Sequence, residues 1–211
     1  MEHLIVVPFP VSPLGTSIGT RYFICVRDFG SSSISLAGSI LIAHPGLLDP
    51  NFRRTVLYIS TNSPEDGSFG LIVNRPAGHT VGEVLPERKL GSLAQVPVLL
   101  GGPVSRDQLI FASFLWHADT QKLECRHHIG VDEAEQLLIE KEASVRAFIG
   151  YAGWSKGQLE GELAQHAWLV KAPDEDILSP IRGPGLWREM LSGFGPMLRL
   201  VAEAPEDPSR N

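Results

Sequence analysis

The sequence predicts an α+β fold with a mixed, mostly antiparallel sheet and a few short helices. Short apolar runs rich in β-forming residues alternate with turns marked by glycine and proline along most of the 211 residues. Helical patterns interrupt these runs irregularly, unlike the regular strand–helix alternation of a doubly wound parallel sheet. No repeat at the period of a solenoid protein is present. We therefore expect a single main domain with one core.

A first hairpin is predicted between residues 55 and 74. TVLYIS (55–60) and FGLIVN (69–74) have the composition of strands, and Pro64 with Asp66-Gly67 marks a turn between them. The run SILIAHP (39–45) precedes this hairpin and predicts a further short strand, which ends at a proline.

A second hairpin is predicted from LIFASFL (109–115) and LECRHHI (123–129). The buried strand PVLLGGP (97–103) comes before it and ends in two glycines and a proline. Two more strands are predicted in SVRAFIGYAG (144–153) and HAWLVKA (166–172).

Three helices are predicted among these strands. Asp132 with Glu135 three residues later resembles a capping box, which indicates the start of a helix. GQLEGELAQ (157–165) predicts a short second helix. The third helix has Pro184 in its first turn and Gly193 at its end. Its apolar stripe consists of Leu186, Trp187, Met190 and Leu191.

The two ends of the chain differ in composition from the middle. Residues 1–35 contain several prolines and glycines and end in three serines, so we expect an N-terminal extension that is partly irregular. Residues 36–200 form the predicted domain. Residues 201–211 are acidic and interrupted by proline, which predicts a flexible tail.

The charge of the chain argues against nucleic-acid binding. The formal net charge is -6, and the longest basic runs are the pairs Arg53-Arg54 and Arg88-Lys89. Proteins that bind DNA usually present a basic surface, because contacts to phosphates dominate their affinity. Direct DNA binding therefore has no electrostatic support in the sequence.

The cysteines and the apolar runs predict a soluble, cytoplasmic protein. Cys25 and Cys125 lie 100 residues apart and form no disulfide framework, which fits a reducing compartment. No positively charged segment precedes the apolar N-terminal run, as a secretory signal would require. No apolar run approaches the roughly 20 residues of a membrane span.

The stretch from Gly153 to Gly157 spells G-x-S-x-G, the pattern of a hydrolase nucleophile elbow centred on Ser155. A predicted strand before it and a predicted helix after it supply the local context of an elbow. Hydrolases of this type place an acid and then a histidine after the serine. Only His166 follows Ser155, and the intervening Glu160 and Glu162 share its short segment. We favour a structural strand-to-helix turn and keep a serine hydrolase as the minority hypothesis.

A metal site is not favoured by the cluster Cys125, His127 and His128. On a strand, Cys125 and His127 share one face and His128 lies on the other. Two ligands on one face are too few for a closed zinc site, which needs four. We expect no metal and no cofactor.

Two strand ends carry further candidates. Arg75 follows a strand, where its guanidinium can either pair with a carboxylate or contact a ligand, and pairing is favoured. The glycines of Gly101-Gly102-Pro103 could offer backbone N–H groups to an anion. This stretch lacks the Lys-Ser/Thr of a P-loop, so a tight turn or close backbone approach is favoured.

Five segments in order resemble the YqgE/AlgH family of bacterial proteins. They are LIAHPGLLDPNFRRTVLYI, FGLIVNRP, LLGGPV, GYAGWSKGQLEGEL and HAWLV, and the similarity covers about residues 36–192. The resemblance implies that the sheet is strongly bent and forms a pseudo-barrel. It also implies a role in transcriptional regulation, and no catalytic residues are established for the family.

The family motif positions suggest a candidate binding or contact cleft. It comprises Asn74, Arg75, Gly101, Gly102, Tyr151, Trp154, Gln158 and Glu162. The leading hypothesis is a non-enzymatic regulatory or protein-interaction domain that acts indirectly on transcription through an unidentified protein partner, with no membrane contact. A direct DNA-binding regulator is the alternative.

Overall fold

A computed structural model describes residues 35–141, 143–179 and 182–203. Within these ranges, nine strands form one strongly curled sheet that resembles half a barrel, with a few short helices around it. The strands are β1 (Ile40–Ala43), β2 (Val56–Ser63), β3 (Gly67–Ile72), β4 (Pro76–Thr80), β5 (Pro97–Leu100), β6 (Val104–His117), β7 (Lys122–Ile129), β8 (Ser144–Trp154) and β9 (Trp168–Lys171). The α-helices are α1 (Val81–Val84), α2 (Val131–Glu140), α3 (Gln158–Ala164), α4 (Leu186–Ser192) and α5 (Pro196–Glu203). Short 3-10 segments cover Gly91–Gln95, Glu175–Leu178 and Gly183–Gly185.

Strand β8 connects the two halves of the sheet. Its residues 147–149 pair in parallel with β5 and antiparallel with β6, whereas its residues 152–154 pair with β3. The strand order is β4-β5-β8-β3-β2-β1-β9, and β6 and β7 extend from β8 as a separate hairpin. Among the described strand pairs, only β5 with β8 is parallel.

Neighbouring residues of β8 also divide the core into two clusters. Phe148 packs into the larger cluster, which fills the space between β1–β3 and the helices α3 and α4. Ala147 packs into the smaller cluster, which lies under α1 and α2. Successive side chains of a strand point to opposite faces, so one strand serves both clusters.

A close backbone contact marks the point at which β8 changes partners. The Gly101 amide donates to the Ile149 carbonyl at 2.9 Å, and the Gly101 carbonyl accepts from the Ile72 amide at 2.9 Å. A Cβ atom on Gly101 would overlap the carbonyl oxygen of Gly150, and one on Gly102 would overlap the backbone of Tyr151. Glycine is therefore required because no side chain fits between the two backbones.

The predicted α+β class with a mixed, mostly antiparallel, strongly bent sheet is confirmed. Each of the eight predicted strands is present, although β6 begins at Val104 rather than at residue 109. The predictions missed β4, whose residues are exposed or half-buried and form no apolar run. They also missed α1, although Thr80 and Glu83 form a capping box at its start.

The predicted capping box at Asp132 is wrong. Helix α2 begins at Val131 with Gly130 in the N-cap position, and Asp132 lies in the first turn. A carboxylate there still favours the helix, because the positive end of the helix dipole is nearby.

The helix expected at the C-terminal end of the domain is present as α4, and Gly193 follows it. Pro184, predicted in its first turn, lies instead in the 3-10 segment that precedes it. Helix α5 was not predicted. Residues 201–203, which were assigned to the flexible tail, belong to α5. The predicted extension up to residue 34 and the tail from residue 204 lie outside the described residues. In the described ranges, no helix is long and apolar enough to cross a lipid bilayer.

Gly101→Ala should lower the free energy of unfolding by about 3 kcal/mol or more, because the new Cβ meets a backbone oxygen that cannot rotate away. Gly161→Ala is the matched control, since it lies within α3 and nothing lies within 4 Å of its Cβ position. It should raise stability by up to about 1 kcal/mol. Urea denaturation measures both values. An unchanged midpoint for Gly101→Ala would contradict the close contact.

Candidate functional site

A cavity of about 700 Å³ opens where the ends of β3 and β5 meet the β1–β2 loop and the start of α4. This volume is in the range of small-molecule sites, roughly 300–1,000 Å³. Four arginines and no acidic residue line it within the described part of the chain, so we call it the arginine cavity. Its lining consists of Leu48, Pro50, Arg53, Arg54, Asn74, Arg75, Pro76, Leu100, Pro184, Gly185, Trp187 and Arg188.

Asn74 attaches residues 49–54, which we call the arginine loop, to the sheet. Its Oδ1 accepts a hydrogen bond from the Val56 amide at 2.9 Å, and its Nδ2 donates to the Arg54 carbonyl at 3.0 Å. The side chain is only 3% exposed. Both ends of the amide are thus used to hold the backbone of the loop.

Arg75 holds the same loop from the adjacent position. Its Nη1 donates to the Asn51 carbonyl at 2.7 Å, and its Nη2 donates to the carbonyls of Arg53 at 2.8 Å and Pro50 at 3.3 Å. We favoured pairing with a carboxylate, yet no described carboxylate forms a salt bridge with this guanidinium. The hydrogen bonds to the three carbonyl groups fix the position of the guanidinium at the cavity wall.

The electrostatic surroundings of Arg75 are positive. Burial lowers the pKa of its guanidinium, and the charges of Arg53 and Arg106 lower that pKa further, against the opposing effect of Asp49. A cation is therefore less stable here than in water. A bound anion would relieve this repulsion.

The remaining arginines come from two different parts of the chain. Arg53 is exposed, and Arg54 lies over the Trp187 ring with 5.2 Å between its guanidinium carbon and the ring centroid. Arg188 on α4 donates from Nε to the Ala202 carbonyl at 3.1 Å. Like the bonds of Arg75, this one leaves the positive charge without a described counter-ion.

A second polar arrangement, the indole clamp, consists of Trp154, Trp168 and Glu162. The Nε1–H groups of Trp154 and Trp168 both donate to Oε2 of Glu162, at 2.9 and 2.8 Å. Both indoles are buried, and their ring centroids are 6.1 Å apart at 80°. A carboxylate that accepts two buried donors joins α3 to β8 and β9 by strong, charge-assisted hydrogen bonds.

Gln158 extends the indole clamp to Ser155. Its Nε2 donates to Oε1 of Glu162 at 3.1 Å, and its Oε1 accepts from both the amide and the hydroxyl of Ser155 at 3.1 Å. A side-chain amide is not a base at neutral pH and cannot withdraw the serine proton. Among the described residues, no histidine is hydrogen-bonded to Ser155. The described residues therefore form no catalytic triad around this serine.

Phe52 links the arginine loop to the indole clamp. Its ring stacks on Trp154 with 6.1 Å between centroids and meets Trp168 edge-on at 5.5 Å. Because Arg53 and Arg54 follow Phe52 directly, this aromatic packing fixes the part of the loop that carries two of the cavity's four arginines.

The eight residues predicted to form one cleft fall into separate places. Asn74 and Arg75 line the arginine cavity, whereas Gly101 and Gly102 form the backbone contact with β8. Trp154, Gln158 and Glu162 belong to the hydrogen-bonded network described above. Tyr151 stacks between strands on Phe69, at 4.8 Å between ring centroids.

The cluster of Cys125, His127 and His128 differs from the simple strand expected. His128 has a φ of 59° at an irregularity in the β6–β7 pairing, and its Nδ1 lies 2.7 Å from Nδ1 of His127. The two imidazoles therefore meet instead of pointing to opposite faces. Over the described ranges, no group of three or more potential ligands is placed to hold a metal ion.

Replacement of Glu162 by Ala should lower the free energy of unfolding by about 2–4 kcal/mol. The reason is that two buried indole N–H groups lose their acceptor, and each such loss costs roughly 1–3 kcal/mol. Glu87→Ala, at an exposed position, serves as the control and should change stability by less than about 0.5 kcal/mol. If urea denaturation gives the same free energy of unfolding for both variants, the hydrogen bonds from the two indoles to Glu162 do not stabilise the fold.

Cys125 should react slowly with thiol reagents. Burial raises the pKa of its thiol from 9.0 to about 11, so at pH 8 the thiolate fraction falls by roughly two orders of magnitude. In a Cys25→Ser variant, alkylation of the folded protein by iodoacetamide should accelerate strongly between pH 8 and pH 10. The same protein in urea should react at the rate of a free cysteine at pH 8. A folded-state rate equal to that in urea would contradict the raised pKa.

Relatives of known sequence match most of the chain. A UPF0301 protein of Streptomyces coelicolor is 39% identical over 189 aligned residues, covering 84% of this chain and 96% of the relative. A UPF0301 protein of Thermobifida fusca is 34% identical over 193 aligned residues, with the same coverage.

Solved structures show the same fold. The solution structure of the AlgH protein from Pseudomonas aeruginosa matches with a TM-score of 0.59 and 27% identity, covering 84% of this chain and 98% of that one. A crystal structure of a protein from Corynebacterium diphtheriae matches with a TM-score of 0.61 over 82% of this chain and 94% of that one, at 21% identity, and supports the fold alone. The AlgH-like family model, DUF179, matches residues 40–199. This chain therefore belongs to the AlgH-like family.

Proposed function

We propose that this chain is a cytoplasmic regulatory protein without catalytic chemistry, and that it acts by binding an anionic ligand in the arginine cavity. The observation that carries the proposal is the lining of that cavity, to which four arginine side chains and no described acidic side chain contribute. Arginine presents a planar fork of donors that suits carboxylates and phosphates, and it remains charged at neutral pH.

The fixed geometry of the cavity supports binding as its role. Arg75 is held by three carbonyl groups, and the arginine loop is further held by Asn74 and by the packing of Phe52. A site whose positive charges are already held in place loses less conformational entropy when a ligand binds. Regulation of transcription would follow indirectly, through a protein partner that responds to the occupied cavity.

The alternatives have weaker support. A serine hydrolase would need a base beside Ser155, whereas the serine hydroxyl is bonded to the amide oxygen of Gln158. Direct DNA binding would need a basic surface, whereas the net charge is -6 and the four arginines of the cavity line a concave site. A compact anion matches this shape better than a duplex does.

The arginine cavity should bind inorganic pyrophosphate, and Arg53→Gln should weaken that binding roughly tenfold, because one charge-assisted contact is lost. Arg53 is exposed, so its replacement should leave the fold intact. Arg88→Gln removes the same charge at an exposed position outside the cavity and should change the affinity less than twofold. Isothermal titration calorimetry at two salt concentrations measures the pyrophosphate affinity of each variant. Higher salt should weaken binding.

Two results would contradict this function. One is the absence of heat from pyrophosphate, and from every other phosphate compound titrated, at millimolar concentration. The other is an equal loss of affinity in Arg53→Gln and Arg88→Gln, which would indicate a general charge effect. A gel shift with a DNA duplex, lost in Arg53→Gln while pyrophosphate does not bind, would favour the DNA-binding alternative.

A further inference from the structure

The arginine cavity has an apolar wall as well as a charged one. Apart from its arginines, Asn74 and Gly185, the described lining is entirely apolar. This wall consists of Leu48, Pro50, Pro76, Leu100, Pro184 and Trp187. A free inorganic ion would contact the guanidinium groups and fill only a small part of about 700 Å³.

Leu48 is the most unusual member of this wall. Its side chain is 76% exposed at the edge of the cavity, which makes it the most exposed large hydrophobic residue in the described ranges. Single exposed apolar side chains are common on protein surfaces. This one, however, stands beside a concave site that already offers charged groups, and a ligand could cover it.

The backbone around Leu48 is well anchored. The Leu47 amide donates to the His44 carbonyl at 2.8 Å, and the amides of Phe52 and Arg53 both donate to the Asp49 carbonyl, at 3.0 and 2.7 Å. Leu48 therefore lies between two hydrogen-bonded turns. Its backbone position does not need to form when a ligand arrives, so the apolar wall is in place beforehand.

The number of arginines indicates the type of anion. One carboxylate carries a single charge and pairs well with a single guanidinium. A phosphate monoester carries nearly two charges and three acceptor oxygens at neutral pH, so it can engage several guanidinium groups at once. The cavity thus combines four arginines with room for an apolar body.

We propose that the ligand of the arginine cavity is a phosphate monoester whose phosphate is attached to an aromatic or hydrocarbon body. The phosphate contacts the arginines, and the body lies against Leu48 and Leu100. This inference rests on the proposed function and adds the chemical class of the ligand. The same chemistry occurs in a soluble metabolite and in the headgroup of phosphatidic acid, so the test includes both sources.

The test compares inorganic phosphate with 1-naphthyl phosphate by isothermal titration calorimetry. Partial burial of the naphthyl ring should make 1-naphthyl phosphate bind at least about tenfold more tightly. Leu48→Ala should remove most of this advantage and leave the affinity for inorganic phosphate unchanged. Because Leu48 is exposed, the variant should fold normally, and circular dichroism checks this. Leu200→Ala is the matched control, since Leu200 is 67% exposed on α5 and does not line the cavity.

The outcomes separate this inference from the proposed function. Failure of phosphate, pyrophosphate and 1-naphthyl phosphate alike to bind would overturn both. Equal affinities for inorganic and naphthyl phosphate, or an advantage that survives Leu48→Ala, would overturn the ligand class and leave an anion site. Sedimentation with phosphatidic acid vesicles that is lost in both Leu48→Ala and Arg53→Gln would support the lipid source. Naphthyl phosphate binding without sedimentation would support the soluble source.

Discussion

The arrangement of this molecule depends on the backbone contact between Gly101-Gly102 and the turn of β8 at Gly150-Tyr151. At this point β8 changes partners from β5 to β3, so the ends of both strands are brought together. The Leu100 amide donates to the Arg75 carbonyl at 2.8 Å as a result. The arginine cavity lies where those strand ends meet. A larger residue in place of either glycine would separate the strand ends that carry the apolar and the cationic parts of the cavity.

Much of the fold could be predicted from the sequence because burial imposes a pattern on it. Runs such as ILIA in β1 and VLYI in β2 are fully buried and therefore apolar throughout. Strand β4 and helix α5 escaped prediction for the opposite reason. PAGHT in β4 is exposed or half-buried, and only Ala202 is buried in α5. The capping box at Asp132 was wrong because Gly130 supplies the extended conformation that an N-cap requires.

The candidate site could be predicted only in part. Asn74 and Arg75 stood out because a polar pair directly follows an apolar strand. Arg53 and Arg188 gave no such signal, since an arginine on a loop or a helix usually faces solvent. Both line the same cavity only because of where α4 packs, which the Trp187 indole fixes by donating to the Ala43 carbonyl at 2.8 Å. Conversely, the sequence places Trp154 and Glu162 at a contact surface. In the structure the Trp154 indole is buried and donates a hydrogen bond to the Glu162 carboxylate.

The way in which the arginine loop is attached has an evolutionary consequence. Asn74 and Arg75 donate hydrogen bonds to the backbone carbonyl oxygens of residues 50, 51, 53 and 54. Every amino acid has such a carbonyl group. The path of the loop therefore depends little on the side chains of Asn51 and Arg53, whereas the Phe52 ring does hold it. Residues 48 and 53 are exposed and line the cavity, so substitutions there should cost little stability. Relatives with the same scaffold could therefore come to bind different ligands through changes at these two positions.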